Sequence, residues 1–342
     1  MELPQTSGST PPAPRRSLWR RLGSGLLRAA AVLGLSVALL LTWLWLDARR
    51  DRSAWMAARV GQPISIERQP AAGPQGCSTE AVRLCSDSGL CVDLTLLQRP
   101  WQPGEPLRPA AVILGGHRTG RDAALLVGDP GGVVVAALDY PLEGSDRIKG
   151  LGPILAALPR IRAALLDTAP AAALAVRWLS TQPGVDPARI ELLGVSLGAV
   201  FAPLAAGLEP AASRLWLVHG GAAPGAWLEH AIERKQKSAL LSALTARLAY
   251  LLARGPNFEL DPWLAKLPPR ELVVVAARDD TRLPRELVLA LLDGAPCPAR
   301  LAWTEGGHVD PKKPEIVRQL IQTVLGGIAG EPPPPYLPGQ GG

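Results

Sequence analysis

The pentapeptide Gly194-Val195-Ser196-Leu197-Gly198 follows directly on the mostly apolar run Ile190-Glu191-Leu192-Leu193. A short apolar run with a turn signal at its end reads as a buried strand. A G-x-S-x-G sequence after such a strand demands a sharp turn into a helix, and that turn lifts a serine hydroxyl out of the sheet. The two glycines belong to this geometry, because a side chain at either position would clash with the crowded backbone of the turn. The pentapeptide is short enough to occur by chance, so the rest of the chain has to supply a matching framework and matching chemistry.

The framework is present. Strand-like runs at 81–85 and 90–97 read as an opening hairpin, followed by strands at 111–114, 133–139, 190–195, 214–219, 272–277 and 300–303. Helical stretches lie between them at 154–166, 171–179 and 199–208, and an amphipathic helix at 314–325 closes the series. Apolar strands alternating with helices imply a largely parallel sheet covered on both faces, the α/β class. Residues 63–330 are long enough for one large domain of this kind. Residues 221–268 interrupt the alternation as an insertion. Within it Leu244, Leu248, Leu251 and Leu252 form an apolar helical stripe, which packs on the body or serves as a lid lining a pocket for an acyl group. Residues 331–342, with Pro332 to Pro335 and terminal glycines, read as a tail.

The first 62 residues read differently. Residues 1–21 form a basic, Pro-rich tail without a pattern that would fold. Ala29 to Leu46 holds 18 residues without a charge. As a helix at about 1.5 Å per residue it spans roughly 27 Å, and it extends back to Leu22 if Arg28 reaches toward the interface. We expect a transmembrane anchor at 22–46 and a juxtamembrane linker at 47–62. Trp43, Trp45 and Trp55 stand where an interfacial aromatic belt belongs. A cleaved signal peptide would have a shorter apolar core and a small-residue cleavage site, and none stands between Trp45 and Gly61. Arg15, Arg16, Arg20, Arg21 and Arg28 precede the span, whereas Arg49, Arg50 and Arg52 after it are offset by Asp47 and Asp51. The positive-inside rule then expects a cytoplasmic N-terminus and a translocated C-terminal domain.

Charge excludes one class of partner. Residues 1–60 carry 9 basic and 3 acidic residues, and the remaining 27 basic and 27 acidic residues balance. The net charge of +6 belongs entirely to the anchor region. The globular part has no electrostatic footprint for nucleic acid. Arginine makes up 30 of the 36 basic residues, which with abundant Ala, Gly and Pro fits a high-GC bacterial genome and hence a bacterial inner membrane with the domain facing the periplasm. The four cysteines agree with export. Cys85 and Cys91 flank a turn between two strand-like runs and could bridge across the hairpin. Four cysteines allow three pairings, and free buried thiols are the alternative.

A serine hydroxyl needs a base, and the base needs a third group to orient it. Of the four histidines, His308 lies in the Gly-rich loop Glu305-Gly306-Gly307-His308-Val309-Asp310, after a strand and before the last helix. His219 ends a strand and reads as a core histidine, and His230 reads as solvated. Asp279 and Asp280 both follow the strand at 273–277 and are candidates for the acid.

With the elbow, the Asp280-x-x-Leu283-Pro284 turn and the Gly306-Gly307-His308 loop in place, the chain resembles the α/β-hydrolase superfamily over roughly residues 90–325, near its dienelactone-hydrolase-like and esterase branches. The resemblance implies an α/β-hydrolase fold, a mostly parallel sheet flanked by helices with a helical lid. It implies a triad of Ser196, Asp280 and His308, since in such enzymes the acid often stands four residues before a proline and Asp280 has that spacing. It also implies an oxyanion hole of two backbone N–H groups. One is that of Leu197, and the other comes from the loop Gly115-Gly116-His117-Arg118-Thr119-Gly120, at Arg118 or His117. Many relatives have His-Gly here, and this chain has Gly116-His117, which shifts the register. Dienelactone hydrolases carry cysteine at the elbow and dehalogenases aspartate, so Ser196 favours ester or thioester hydrolysis. No metal or cofactor is implied. The expected substrate is a small-molecule or lipid ester. A serine peptidase, an acyltransferase and an inactive interaction module share the fold and stand as alternatives.

Overall fold

The computed structural model describes residues 16–116, 119–142, 148, 150–266, 271–296, 298–330 and 333–336, with backbone alone at 16–24 and 151. The chain forms two units, Met1–Asp47 and Ala48–Gly342. In the first, helix α1 begins at Arg16 and runs to Arg49. Its stretch Gly25–Arg49, which holds an 18-residue window of mean hydropathy 2.1, is long and apolar enough to cross a membrane. Helix therefore starts inside the segment expected to be an unfolded tail, because Leu18 and the arginines around it are good helix formers. Residues 1–15 of that tail lie outside the described residues.

The second unit begins with α2, Ser53–Val60, where a linker was expected. Met56 and Val60 recur at helical spacing and are wholly buried in the core. The Arg59 guanidinium donates to Asp167 and to the Ser88 carbonyl, which ties this helix to the body.

Nine strands follow: β1 Pro63–Pro70, β2 Ser78–Ser86, β3 Cys91–Gln98, β4 Arg108–Leu114, β5 Val134–Leu138, β6 Val185–Val195, β7 Ala212–Val218, β8 Glu271–Ala277 and β9 Ala299–Thr304. They make one sheet in the order β1-β2-β3-β5-β4-β6-β7-β8-β9. β1, β2, β3 and β5 pair antiparallel, and β5, β4, β6, β7, β8 and β9 pair parallel. β1 ends in prolines and has mostly exposed side chains, as an edge strand can. Cys85 and Cys91 face each other at the end of the β2–β3 ladder and form a disulfide. Cys77 is a free thiol, and Cys297 lies outside the described residues.

Helices cover both faces. Alternate residues of β4 divide between two cores: Ala110, Val112 and Leu114 on one face, Ala111 and Ile113 on the other. The first face is covered by α2 with α4 Leu151–Leu179 and α5 Gly198–Leu208. The second lies under α3 Ala123–Val127 and, at the far end of the chain, Pro314–Ala329. α4 was expected as two helices, yet it runs unbroken through Pro159 and Pro170, because the alanine-rich face from Ala169 to Leu179 is buried almost completely. Between β7 and β8 lie α6 Pro224–Glu233, α7 Ala239–Leu252 and α8 Asp261–Leu264. Leu240, Leu241, Leu244 and Leu248 of α7 are exposed. Helix α9, Arg285–Asp293, joins β8 to β9, and α10, Pro314–Ala329, closes the fold. Residues 333–336 of the expected tail lie along β9, where Tyr336 N–H donates to Ala299 O and Leu301 N–H to Pro334 O. The backbone groups of an edge strand are thereby paired.

Candidate active site

Parallel strands end on one side of the sheet, and loops leaving β6, β8 and β9 meet there. β6 ends at Val195, and Ser196 takes φ 53°, a left-handed conformation that a serine holds only when its surroundings enforce it. The flanking glycines show how. A Cβ on Gly194 would lie 2.6 Å from Gly198 O, and one on Gly198 would lie 2.0 Å from Leu114 O. The backbone passes too close to its neighbours for any side chain. Ser196 N–H is held by Val218 O of the adjacent strand at 2.8 Å.

His308 comes from the loop after β9. Its Nε2 stands 2.7 Å from Ser196 Oγ, and its Nδ1 stands 2.6 Å from Asp280 Oδ2. Asp280 comes from the turn after β8. Its other oxygen accepts the backbone N–H groups of Arg282 at 2.8 Å and Leu283 at 3.1 Å. Burial alone would raise the Asp280 carboxyl. The His308 hydrogen bond and charge, with the two N–H groups, outweigh it and hold this acid below the ordinary carboxylate range. An ionised Asp280 accepts the proton on His308 Nδ1, which leaves Nε2 free to accept from Ser196. Asp279 is exposed. Of the two acids, Asp280 alone is bonded to His308.

His219 contributes more than the core filling expected of it. It is fully buried at the end of β7, also at positive φ, and its Nδ1 accepts the N–H of Val309 at 2.8 Å. That bond braces the backbone next to His308. The two rings are 5.4 Å apart. Desolvation by burial, with the neighbouring His308, pulls the His219 imidazole down to about 4, so it is neutral with its proton on Nε2. That nitrogen is buried without a hydrogen-bond partner among the described residues. His219, Asp280 and His308 bring possible metal-ligand atoms within 4.8 Å of one another. The hydrogen bonds to Ser196, Val309 N, Arg282 N and Leu283 N already account for the cluster. His230 was expected in solvent. Instead its Nε2 donates to Thr281 O at 3.1 Å, and Trp227 Nε1 donates to Arg282 O at 3.0 Å. Helix α6 is thus pinned to the loop that carries Asp280. No local signal in the sequence marks these three contacts, because each partner lies more than 50 residues away.

Of the expected oxyanion donors, Leu197 N–H sits in the turn that opens α5, where the helix dipole favours negative charge. His117 and Arg118 lie outside the described residues. The described part of their loop reaches the site: a Cβ on Gly116 would stand 3.8 Å from Ser196 Cβ. Tyr140 Oη donates to Gly115 O at 2.6 Å, and Thr119 Oγ1 donates to Gly116 O at 3.0 Å, which fixes the loop's start.

A cavity of about 690 Å³ opens on Ser196 and His308. Gly115, Gly116, Thr119 and Trp227 surround the serine end. The expected lid stripe at Leu244, Leu248, Leu251 and Leu252 does not line it. From the insertion, Trp227 and Ala231 of α6 and Arg234 and Lys235 just after it line the cavity, while Leu244 and Leu248 of α7 are exposed.

Neither a family model nor a curated protein sequence matches the chain. Solved structures match in fold. An acetyl xylan esterase from Paenibacillus sp. R4 superposes with a TM-score of 0.59 at 14% identity, over 79% of this chain and 92% of that one. Acetyl xylan esterase 1 from Thermoanaerobacterium sp. JW/SL YS485 gives 0.57 at 13% identity, over 80% and 93%. A puromycin-hydrolyzing peptidase of Mycobacterium tuberculosis gives 0.52 at 16% identity, over 81% of this chain and 40% of that one. At these identities the likeness is one of architecture, and the architecture is the α/β-hydrolase fold.

Proposed function

We infer that this α/β-hydrolase-fold chain is a serine hydrolase that cleaves carboxylic esters through an acyl-enzyme. The observation that carries the reading is the unbroken hydrogen-bonded line Ser196–His308–Asp280, with the serine held at a left-handed φ. In the first half-reaction His308 Nε2 takes the hydroxyl proton as Ser196 Oγ attacks the ester carbon. Asp280 keeps the imidazole in its tautomer and stabilises the imidazolium. Leu197 N–H and an N–H of the His117–Arg118 loop receive the developing oxyanion. The leaving alcohol takes the proton from His308. A water activated by the same nitrogen then releases the acid and restores the serine. None of these steps draws on a metal or cofactor.

The same reading places residues 22–46 across a bacterial inner membrane, with the domain of residues 63–330 in the periplasm. Its support is the arginine excess before the span and the Cys85–Cys91 disulfide, which persists in an oxidising compartment. Helix α6 acts as the fixed part of a lid through its bonds to the Asp280 loop. The test is fluorophosphonate labelling. The wild type should react at one serine and turn over p-nitrophenyl acetate, and Ser196→Ala should do neither. A folded wild type that resists the probe would count against an activated serine.

A further inference from the structure

The cavity does not stop at the serine. From there it runs down between two helices on the second face of the sheet. Ile113 and Leu193 form its floor, Leu126 of α3 one wall, and Leu320, Ile321 and Val324 of α10 the other. Along α10 the lining residues run from Val317 to Leu325 at helical spacing, roughly 12 Å at about 1.5 Å per residue. α3, on one side of the slot, has only five residues.

All six of these side chains are aliphatic. The polar and charged residues of the cavity wall, Thr119, Ser196, Arg234, Lys235, Arg282, His308 and Asp310, all lie outside α3 and α10. Aliphatic surface left open to water in a concave groove is stabilised when an apolar ligand covers it. A slot of this kind therefore favours an apolar occupant, and its polar end fixes where that occupant's reactive group must sit.

We propose that the slot between α3 and α10 is the seat of the acyl chain, and that the substrates are esters of straight aliphatic acids of medium length. The proposal rests on the serine-hydrolase reading above. The ester carbonyl lies at Ser196 and the tail runs along α10. With C–C bonds of about 1.5 Å in a zigzag, the slot takes on the order of eight to ten carbons. The seat is not under the α7 stripe, where a lid would put it. The acetyl group named for the two xylan esterases would leave it empty.

The experiment uses the full-length chain in lipid nanodiscs with p-nitrophenyl acetate, octanoate and decanoate, beside fluorophosphonate labelling. The wild type should show kcat/KM about tenfold or more higher for octanoate than for acetate. Ile321→Trp and Leu126→Trp put an indole into the slot from opposite walls. Both sites are partly exposed, Leu126 at 40%, so the fold has room to accommodate the change. Each should remove the octanoate preference while acetate turnover and labelling stay within about twofold of wild type. A labelled wild type that prefers acetate overturns the seat, and so do folded, labelled variants that keep the octanoate preference. A wild type that is not labelled overturns the hydrolase reading itself, which separates the two failures.

Discussion

Ser196 is poised by steric necessity: Gly194 and Gly198 let the backbone turn where a methyl group would strike Gly198 O or Leu114 O. Local chemistry of this kind is written in adjacent residues, so the elbow could be read directly. His308 could be read from its Gly-rich loop, whereas the turn after β8 left Asp279 and Asp280 both open and only the family resemblance chose Asp280. His219 could not be read. Its partner Val309 is 90 residues away, and a histidine ending a strand has no local mark of the bond it makes. Two outcomes belong at this scale. Asp280→Asn should leave the fold intact and lower kcat about 10⁴-fold, since the amide donates where the carboxylate accepts and turns His308 to the wrong tautomer. Retention of most activity would assign the orienting role elsewhere. His219 titrates near 4 in the fold and near 6.5 when unfolded. Between those values the unfolded chain binds a proton that the folded chain does not. Stability from this group is full above about pH 6.5 and is lost as the pH falls toward 4, on the order of 3 kcal/mol in all. His219→Gln keeps an acceptor for Val309 N–H and does not titrate. Its melting temperature should fall less between pH 7 and pH 5 than that of wild type, and parallel curves would contradict the assignment.

Among the elements, every strand but β1 was legible, the β2–β3 hairpin and β9 included. β4 to β8 are buried on both faces and read as such. β1 is a polar edge strand, and its only cue is Ile64 alternating with Ile66. α4 was divided before Pro170, since local propensity penalises that proline and only tertiary burial of the following alanines overrides it. α2 was missed because eight residues are too few for periodicity to stand out from a linker. The lid stripe of α7 was a correct helix read for the wrong contact, since an apolar face does not say what it covers. The β2–β3 hairpin carries the prediction at this scale. Cys85 and Cys91 are six residues apart, so the disulfide closes a small loop. Loop-closure entropy for so short a loop amounts to about 2 kcal/mol. Cys85→Ser with Cys91→Ser should lower the melting temperature by several degrees without changing kcat for p-nitrophenyl acetate. A large loss of activity at unchanged stability would tie the hairpin to the site instead.

At the scale of the whole molecule, charge and apolar length divide the chain more sharply than any contact does. All the excess positive charge lies in residues 1–60, beside the one described helix long and apolar enough to span a bilayer. With the arginines before the span, a C-terminal alkaline phosphatase reporter in a bacterial host should be active. Replacing Arg15, Arg16, Arg20 and Arg21 with Glu should reduce that activity severalfold by reversing the orientation of part of the population. A reporter silent in the wild type would put the domain in the cytoplasm. The central claim is that this fold forms an ester intermediate on one serine. Rapid mixing of the full-length chain with p-nitrophenyl octanoate, followed by acid quench and peptide mass spectrometry, tests it most directly. The account predicts a burst of p-nitrophenol approaching one equivalent and an octanoyl mass on the peptide containing Ser196. Turnover without that adduct, or an adduct on another residue, would contradict it.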